Sequence, residues 1–209
     1  IELSSTIIWK NSTLNISDNS YIGKVARNFG TINMSDSSSI NYITENYGAI
    51  NMSDSSSIDH VEVNRSNTTI NMSNNASLGE LSHNWCGTIN ISDNVYVGII
   101  NDSYGPINVS GNALVNEITC VNCHISLSEK CYIDKINLSV GHTINIVDNL
   151  KAKGPMLIHI NSHEKAIKKG KGIKLLEINN GVNTSDILSN FKLDSSIFFI
   201  NSNGNIDIK

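Results

Sequence analysis

Residues Thr31–Ile40 read TINMSDSSSI, and residues Ala49–Ile58 read AINMSDSSSI. Nine of the ten positions are identical, and the two copies begin 18 residues apart. Self-similarity at a fixed period is the sequence signature of repeat architectures, in which each repeat buries its apolar face against its neighbours. This phrase therefore sets the register in which the rest of the chain is best compared.

Weaker copies of the phrase run through the first 150 residues, with a period of 18–19 residues and small insertions. They begin at Thr13, Thr31, Ala49, Thr69, Thr88, Pro106, His124 and Thr143. Counted from these starts, positions 2, 4, 10 and 13 stay apolar, and position 8 is small. Positions 2 and 4 alternate as in a strand, and the columns do not follow a helical period. The sequence predicts an all-β right-handed parallel β-helix with 18–19-residue coils.

The polar positions also repeat. Position 3 is Asn in most copies, and amides stacked at strand spacing can hydrogen-bond along the stack. This predicted ladder contains Asn15, Asn33, Asn51, Asn71, Asn90, Asn108 and Asn145. Position 5 is Ser and position 6 mostly acidic, which is typical of a corner. Several copies end in an aromatic residue and Gly, such as Phe29-Gly30, Tyr47-Gly48 and Tyr104-Gly105, where we expect glycine to supply a positive φ.

Charge is unevenly distributed along the 209 residues, whose formal net charge is −4. Residues 1–150 carry 6 Lys or Arg and 14 Asp or Glu, whereas residues 151–209 carry 9 and 5. An acidic body argues against a nucleic-acid groove, so no nucleic-acid partner is expected. The cationic run His163–Lys174 is expected to be a solvated loop and strand edge.

The cysteine and acidic residues give little support for a catalytic or metal-binding site. Cys120 and Cys123 form a CxxC motif, but no second CxxC completes a zinc site and no helical pattern follows. Cys131 falls at the small position 8 and is expected to be buried. The acidic column at Asp18, Asp36, Asp54 and Asp93 repeats at one corner, as a cap or, alternatively, as calcium ligands. We expect no catalytic residues, no metal and no cofactor.

The 18-residue register fails after Leu150, which divides the chain into repeats at 1–150 and a C-terminal segment at 151–209. That segment contains four strand-like runs joined by polar turns. Because a solenoid needs a terminal unit to cover its last coil, we expect residues 151–209 to be a capping β segment.

The end of the chain carries a family resemblance. GKGIKLLEINNG (Gly170–Gly181), then SNFKLD (Ser189–Asp194) and a terminal GNIDI (Gly204–Ile208), resemble the end of type V autotransporter passenger domains. The upstream repeats are similar to the self-associating and diffuse-adherence adhesin branch. The resemblance implies that the capping segment 151–209 is autochaperone-like and helps the passenger to start folding. It also implies display at a Gram-negative cell surface or release outside the cell, with membrane attachment only through a C-terminal barrel that this sequence does not contain.

The resemblance implies an adhesin fragment that binds a host-cell surface or an identical passenger on another cell. Two other functions stay open: the stalk of a secreted toxin or enzyme whose active part lies upstream, and a phage tail-spike solenoid. The candidate binding residues are the aromatic side chains near one corner, namely Phe29, Tyr47, Trp85 and Tyr104. Outward serines are candidates for O-glycosylation by a glycosyltransferase, namely Ser37, Ser39, Ser55 and Ser57.

Overall fold

The computed structural model describes residues 6–139, 142–147, 150–152, 154–161, 173–178, 184–193, 198–203 and 205–208. The predicted fold class is confirmed. The chain is an all-β solenoid of about 8 turns, built from parallel sheets with coils of about 18 residues. Cα partners in neighbouring strands follow the sequence repeat, as Ile32 with Ile50 and Asn33 with Asn51 show.

Each regular coil contributes one long strand to the first sheet and one short strand to the second. The first sheet contains, in order, β1 (Thr6–Ile8), β3 (Tyr21–Asn28), β5 (Ser39–Asn46), β7 (Ser57–Asn64), β9 (Ser77–Asn84), β11 (Tyr96–Ser103), β13 (Leu114–Cys120), β15 (Tyr132–Ser139), β17 (Met156–Asn161) and β20 (Phe191–Leu193). The second contains, in order, β2 (Thr13–Ile16), β4 (Thr31–Met34), β6 (Ala49–Met52), β8 (Thr69–Met72), β10 (Thr88–Ile91), β12 (Ile107–Val109), β14 (Ile125–Leu127), β16 (Ile144–Ile146) and β19 (Leu176–Ile178).

Beyond Leu150 the two sheets continue through β17, β19 and β20, each paired in parallel with the preceding coil. A separate antiparallel sheet joins β18 (Ile173–Lys174), β22 (Asn205–Ile208) and β21 (Phe198–Ile200). Helix α1 (Thr184–Leu188) precedes β20. The proposed division at residue 150 stays a prediction, and most of the basic run His163–Lys174 lies outside the described residues.

The apolar columns line the interior of the solenoid. The spacing of the inward-facing positions differs between the short and the long strands. In the short strand, positions 2 and 4 point inward. In the long strand the inward positions are 10, 13 and 16, so two half-exposed or exposed residues separate each buried pair. The sequence columns at positions 2, 4, 10 and 13 are buried as predicted, apart from the partly buried Leu14 in the first repeat.

Position 8 is buried from Ser38 to Cys131, as predicted. Ser20 was expected in this slot but is exposed, because β2 is the edge of its sheet and no described coil covers it. Burial raises the pKa of the Cys131 thiol to about 11, which agrees with its interpretation as a small apolar residue.

The expectation that glycine supplies the positive φ at the aromatic–Gly corner is wrong. Positive φ falls on position 6, at Asp18, Asp36, Asp54, Asn74, Asp93, Gly111 and Glu129. Gly30, Gly48 and Gly105 do not adopt it. They are required by close approach, since a Cβ on Gly48 would lie 1.9 Å from the carbonyl oxygen of Gly30. Short polar side chains tolerate the left-handed region, which explains the Asp and Asn column at position 6.

An inner Asn ladder occupies position 16, which the sequence pattern did not predict. It consists of Asn28, Asn46, Asn64 and Asn84, all fully buried. Each side-chain Nδ2 donates to the next Oδ1 over 2.8–2.9 Å, and Asn84 ends the ladder by donating to Ser103 Oγ over 3.0 Å. The same amides bond the adjacent corner backbone, including the carbonyl of Gly48, so the buried amides of this ladder are satisfied.

The CxxC motif closes the corner between β13 and β14. Cys120 and Cys123 form a disulfide, with their Cα atoms 5.3 Å apart. Cys120 is paired in register with Ser103, so it follows the inner Asn ladder in the same column. Cys86 is an exposed free cysteine.

Candidate functional site

The predicted aromatic residues lie in one column at the corner that follows the long strands. The backbone N–H of each donates to the preceding coil, as Tyr47 to Asn28 O over 2.7 Å and Trp85 to Asn64 O over 2.7 Å. Trp9 and Arg65 occupy the same place in their own coils. We call the whole column the corner column, and it consists of Trp9, Phe29, Tyr47, Arg65, Trp85 and Tyr104. Trp9, Tyr47, Trp85 and Tyr104 are exposed large side chains.

Ring and cation contacts join the centre of the corner column. Phe29 and Tyr47 stack with ring centroids 4.8 Å apart and planes 15° from parallel. The Arg65 guanidinium lies over two rings, 5.5 Å from the Tyr47 centroid and 4.4 Å from the Trp85 centroid. The predicted residues Tyr47 and Trp85 are therefore brought together through a residue that the sequence reasoning missed.

Arg65 had a detectable signal, because it stands at position 17 of its copy, where neighbouring copies have aromatic residues. Trp9 precedes the first aligned copy, so the repeat alignment could not reveal it. Tyr104 follows Trp85 in the next coil, its N–H donating to Asn84 O over 2.9 Å.

Glu45 neutralises part of the positive charge at this corner. Its carboxylate accepts from Arg27 Nε over 3.1 Å, pairs with Arg65, and accepts the Tyr47 hydroxyl over 3.0 Å. The hydrogen bond from Arg65 is the main reason why the pKa of Glu45 lies below its usual range, and Glu45 in turn raises the pKa of Arg65. Arg65 is thereby fixed against the aromatic rings.

At the N-terminal end of the corner column is a cleft of about 460 Å³, which we call the Trp9 cleft. It is lined by Trp9, Lys10, Phe29 and Tyr47. The Trp9 side chain is 67 % exposed, so its indole is available to solvent.

The predicted outer Asn ladder forms over six coils. Asn33 donates to Asn15, and the pattern continues through Asn51, Asn71 and Asn90 to Asn108, with Nδ2 to Oδ1 distances of 2.8–2.9 Å. Asn145 does not belong to it, because Ser126 occupies the ladder position in the intervening coil and pairs in register with Asn145.

An elongated groove of about 390 Å³ follows the outer Asn ladder. Positions 3, 4 and 5 of the first four copies line it, from Asn15 to Ser73, except for Met72. We call it the amide groove. Its serines are partly used internally, since Ser53 Oγ contacts Asp54 Oδ2 at 3.2 Å and Met34 O at 3.2 Å.

The acidic column ties successive corners together. The Asp18 N–H donates to Asp36 Oδ2 over 3.2 Å, and the Asn74 N–H donates to Asp93 Oδ2 over 3.0 Å. Among the described residues, no group of three or more His, Cys, Asp or Glu side chains could hold a metal ion. The bonds between coils favour the corner role over the calcium alternative.

The candidate glycosylation sites flank this corner. Ser37 and Ser55 are exposed, while Ser39 and Ser57 are half-buried at the start of β5 and β7. The structure contains no test of their modification, which stays a prediction.

A polar cluster on the outer face of the first sheet was not anticipated. Ser82 Oγ lies 3.2 Å from His60 Nε2 and donates to Glu80 Oε1 over 2.9 Å, while His60 Nδ1 lies 3.7 Å from Glu80 Oε2. In a nucleophilic triad the histidine separates the serine from the acid. Here Ser82 donates its hydroxyl hydrogen to Glu80, and His60 Nδ1 lies beyond hydrogen-bond distance of the carboxylate, so the cluster does not form that relay.

Tyr42 borders this cluster. Its ring stacks on His60 at 4.7 Å, and its hydroxyl donates to Glu62 Oε2 over 2.6 Å. That hydrogen bond, followed by burial and the charges of Glu62 and Glu80, raises the pKa of Tyr42 to about 12.

No helix in the described part of the chain is long and apolar enough to cross a membrane. Comparison with known protein families, with curated proteins and with solved structures finds no match for this chain.

Proposed function

We propose that this chain is an adhesive rod, which binds a host-cell surface or an identical rod on another cell through side chains repeated from coil to coil. The observation that carries the proposal is the corner column, where exposed Trp and Tyr side chains and the half-buried Arg65 lie in register on successive coils. Trp, Tyr and Arg are the residues most enriched among those that dominate binding energy at protein interfaces.

The amide groove adds a second repeated surface. Its side chains are uncharged and recur once per coil, so two rods that lie side by side would form many weak hydrogen bonds. Linked weak contacts give a combined affinity well above that of any single contact. We propose this groove as the self-association surface and the corner column as the surface for host-cell contact.

We further propose that the chain works at the cell surface or outside the cell, as a passenger of the autotransporter type. The Cys120–Cys123 disulfide supports an oxidising compartment. In the same setting, the exposed hydroxyls of Ser37 and Ser55 are accessible to a glycosyltransferase. Intact-mass spectrometry of natively expressed protein tests the modification, and an unmodified mass would contradict it.

Adhesion and aggregation of beads coated with the chain test the function. Replacing Tyr47, Trp85 and Tyr104 together by Ala is expected to reduce bead attachment to epithelial cells about tenfold or more, because each such anchor contributes on the order of 2 kcal/mol. Replacing the exposed Asn41, Asp59 and Asn116 by Ala is the matched control and should leave attachment unchanged.

Bead-to-bead aggregation tests the self-association surface separately. Asn33→Asp and Asn51→Asp place like charges in the amide groove and are expected to prevent aggregation, since two facing grooves would repel each other. Wild-type beads that neither attach to cells nor aggregate would contradict the proposed function.

A further inference from the structure

We propose that the Trp9 cleft binds a carboxylated sugar ring, in which a pyranose lies against the aromatic side chains and its carboxylate meets Lys10. This inference deepens the proposed function and rests on it, because it assigns a ligand class to one end of the corner column. The cleft is built from Trp9, Lys10, Phe29 and Tyr47, none of which carries a negative charge.

The aromatic ring faces of the cleft that are not in contact with protein favour a sugar as the ligand. Phe29 stacks on Tyr47 with one face, and Arg65 lies over the Tyr47 ring, so those faces are already in contact with protein. The preceding coil places Trp9 next to Phe29 in the corner column, since the Phe29 N–H donates to Ile8 O over 2.8 Å. The negative face of an aromatic ring attracts the slightly positive C–H groups on the flat side of a pyranose.

The size of the cleft agrees with a small ligand. Its volume of about 460 Å³ lies within the range of roughly 300–1,000 Å³ that is typical of ligand sites. With 67 % of its surface exposed, Trp9 retains apolar area that a bound ring would cover.

Charge selects an acidic ligand. Lys10 is exposed, and no ion pair or hydrogen bond joins its ammonium to another described residue. Arg27 and Arg65 both pair with Glu45, which leaves this corner with an excess of positive charge in a chain whose net charge is −4. A carboxylate on the ligand would complement that excess and accept a charge-assisted hydrogen bond from Lys10.

Calorimetric titration of the full chain with two matched trisaccharides tests the inference. One is a β-1,4-linked trimer of glucuronic acid, and the other is cellotriose, which has the same rings with hydroxymethyl groups in place of carboxylates. We expect the acidic trimer to bind at least about tenfold more tightly, as a hydrogen bond between charged groups would give. Equal affinities, or no binding of the acidic trimer, would overturn the inference.

Variants assign the binding to the cleft. Lys10→Gln should remove the preference for the acidic trimer, and Lys10→Arg should restore it. Trp9→Ala should abolish binding, whereas Tyr96→Ala, at an exposed aromatic residue outside the corner column, should leave it unchanged. A Lys10→Gln variant that keeps the preference, or a Tyr96→Ala variant that loses binding, would contradict the assignment.

A triglutamate peptide separates sugar recognition from simple charge attraction. Peptide binding as tight as that of the acidic trimer would overturn the sugar class. Bead attachment that persists when the acidic trimer fails to bind would reject this inference while leaving the proposed adhesive function standing.

Discussion

Individual residues in this solenoid are constrained mainly by the coil stacked above or below them. Gly48 shows this most directly, because its missing Cβ is what permits the contact with Gly30. The aromatic–Gly pairs are visible in the sequence, but the reason for the glycine is not, since a tight corner and a close approach both favour glycine.

Gly48→Ala should destabilise the fold by at least about 3 kcal/mol, because the added Cβ would meet backbone atoms that cannot rotate away. The free energy of unfolding in urea measures the change. Gly154→Ala is the matched control, since no atom of the described residues lies within 4 Å of its added Cβ. Equal stability of the two variants would contradict the packed corner.

A single residue, Tyr42, should also make the stability of the fold depend on pH. Its folded-state pKa, about 12, lies above the ordinary value of 10.0, so the folded state retains a proton that the unfolded chain has begun to lose. This contribution to stability is fully present below pH 10.0 and is lost as the pH rises through about 12.

Nuclear magnetic resonance titration of labelled tyrosine rings checks the Tyr42 pKa. Glu62→Gln should lower it more than Glu80→Gln does, because the hydrogen bond to Glu62 is the largest cause and the charge of Glu80 the smallest. A larger effect of Glu80→Gln would contradict the arrangement of this cluster.

At the scale of strands and ladders, the two Asn columns look alike in sequence but differ in burial. The outer ladder lies on half-exposed positions of the short strands, whereas the inner ladder lies on the buried last position of the long strands. Buried amides need partners, because water cannot replace a lost hydrogen bond there.

Asn46→Ala should therefore cost about 1–3 kcal/mol more than Asn51→Ala. Asn46 donates to Asn64 Oδ1 and Gly48 O and accepts from Asn28, so its loss breaks the inner ladder in the middle. Thermal or urea unfolding of both variants provides the comparison. An equal or larger loss of stability in Asn51→Ala would show that the inner ladder does not stabilise the fold more than the outer one.

The coil is the unit of the structure, so deleting one whole coil should be tolerated. Removing Thr31–Gly48 brings Gly30 next to Ala49 and restores every apolar column in register. We expect a folded, shorter and less stable rod, measured by circular dichroism and size-exclusion chromatography. Removing Thr31–Ser39 alone should prevent folding, since it breaks the register of all the columns.

At the scale of the whole molecule, stability should be distributed along the rod. In a solenoid each coil contacts only its neighbours, so interior coils are held on both sides and terminal coils on one. Backbone amides of β6, β8 and β10 are expected to exchange more slowly than those of β2, as hydrogen exchange under native conditions would show. Uniform protection from β2 to β10 would indicate one cooperative unit instead.

The sequence by itself determined the period, the apolar columns, the outer Asn ladder and the position of the corners. These features are legible because neighbouring coils repeat the same local chemistry, and every Ile or Met in a column has the same partner type. Only the tertiary structure decided which positions are brought together across coils when the residues differ, as with Arg65 between Tyr47 and Trp85, or Lys10 with Phe29. It also decided that position 16 faces inward, since buried residues are three apart in the long strand and two apart in the short strand. That spacing depends on how the strand bends around the stacked core, and a single coil does not contain this information.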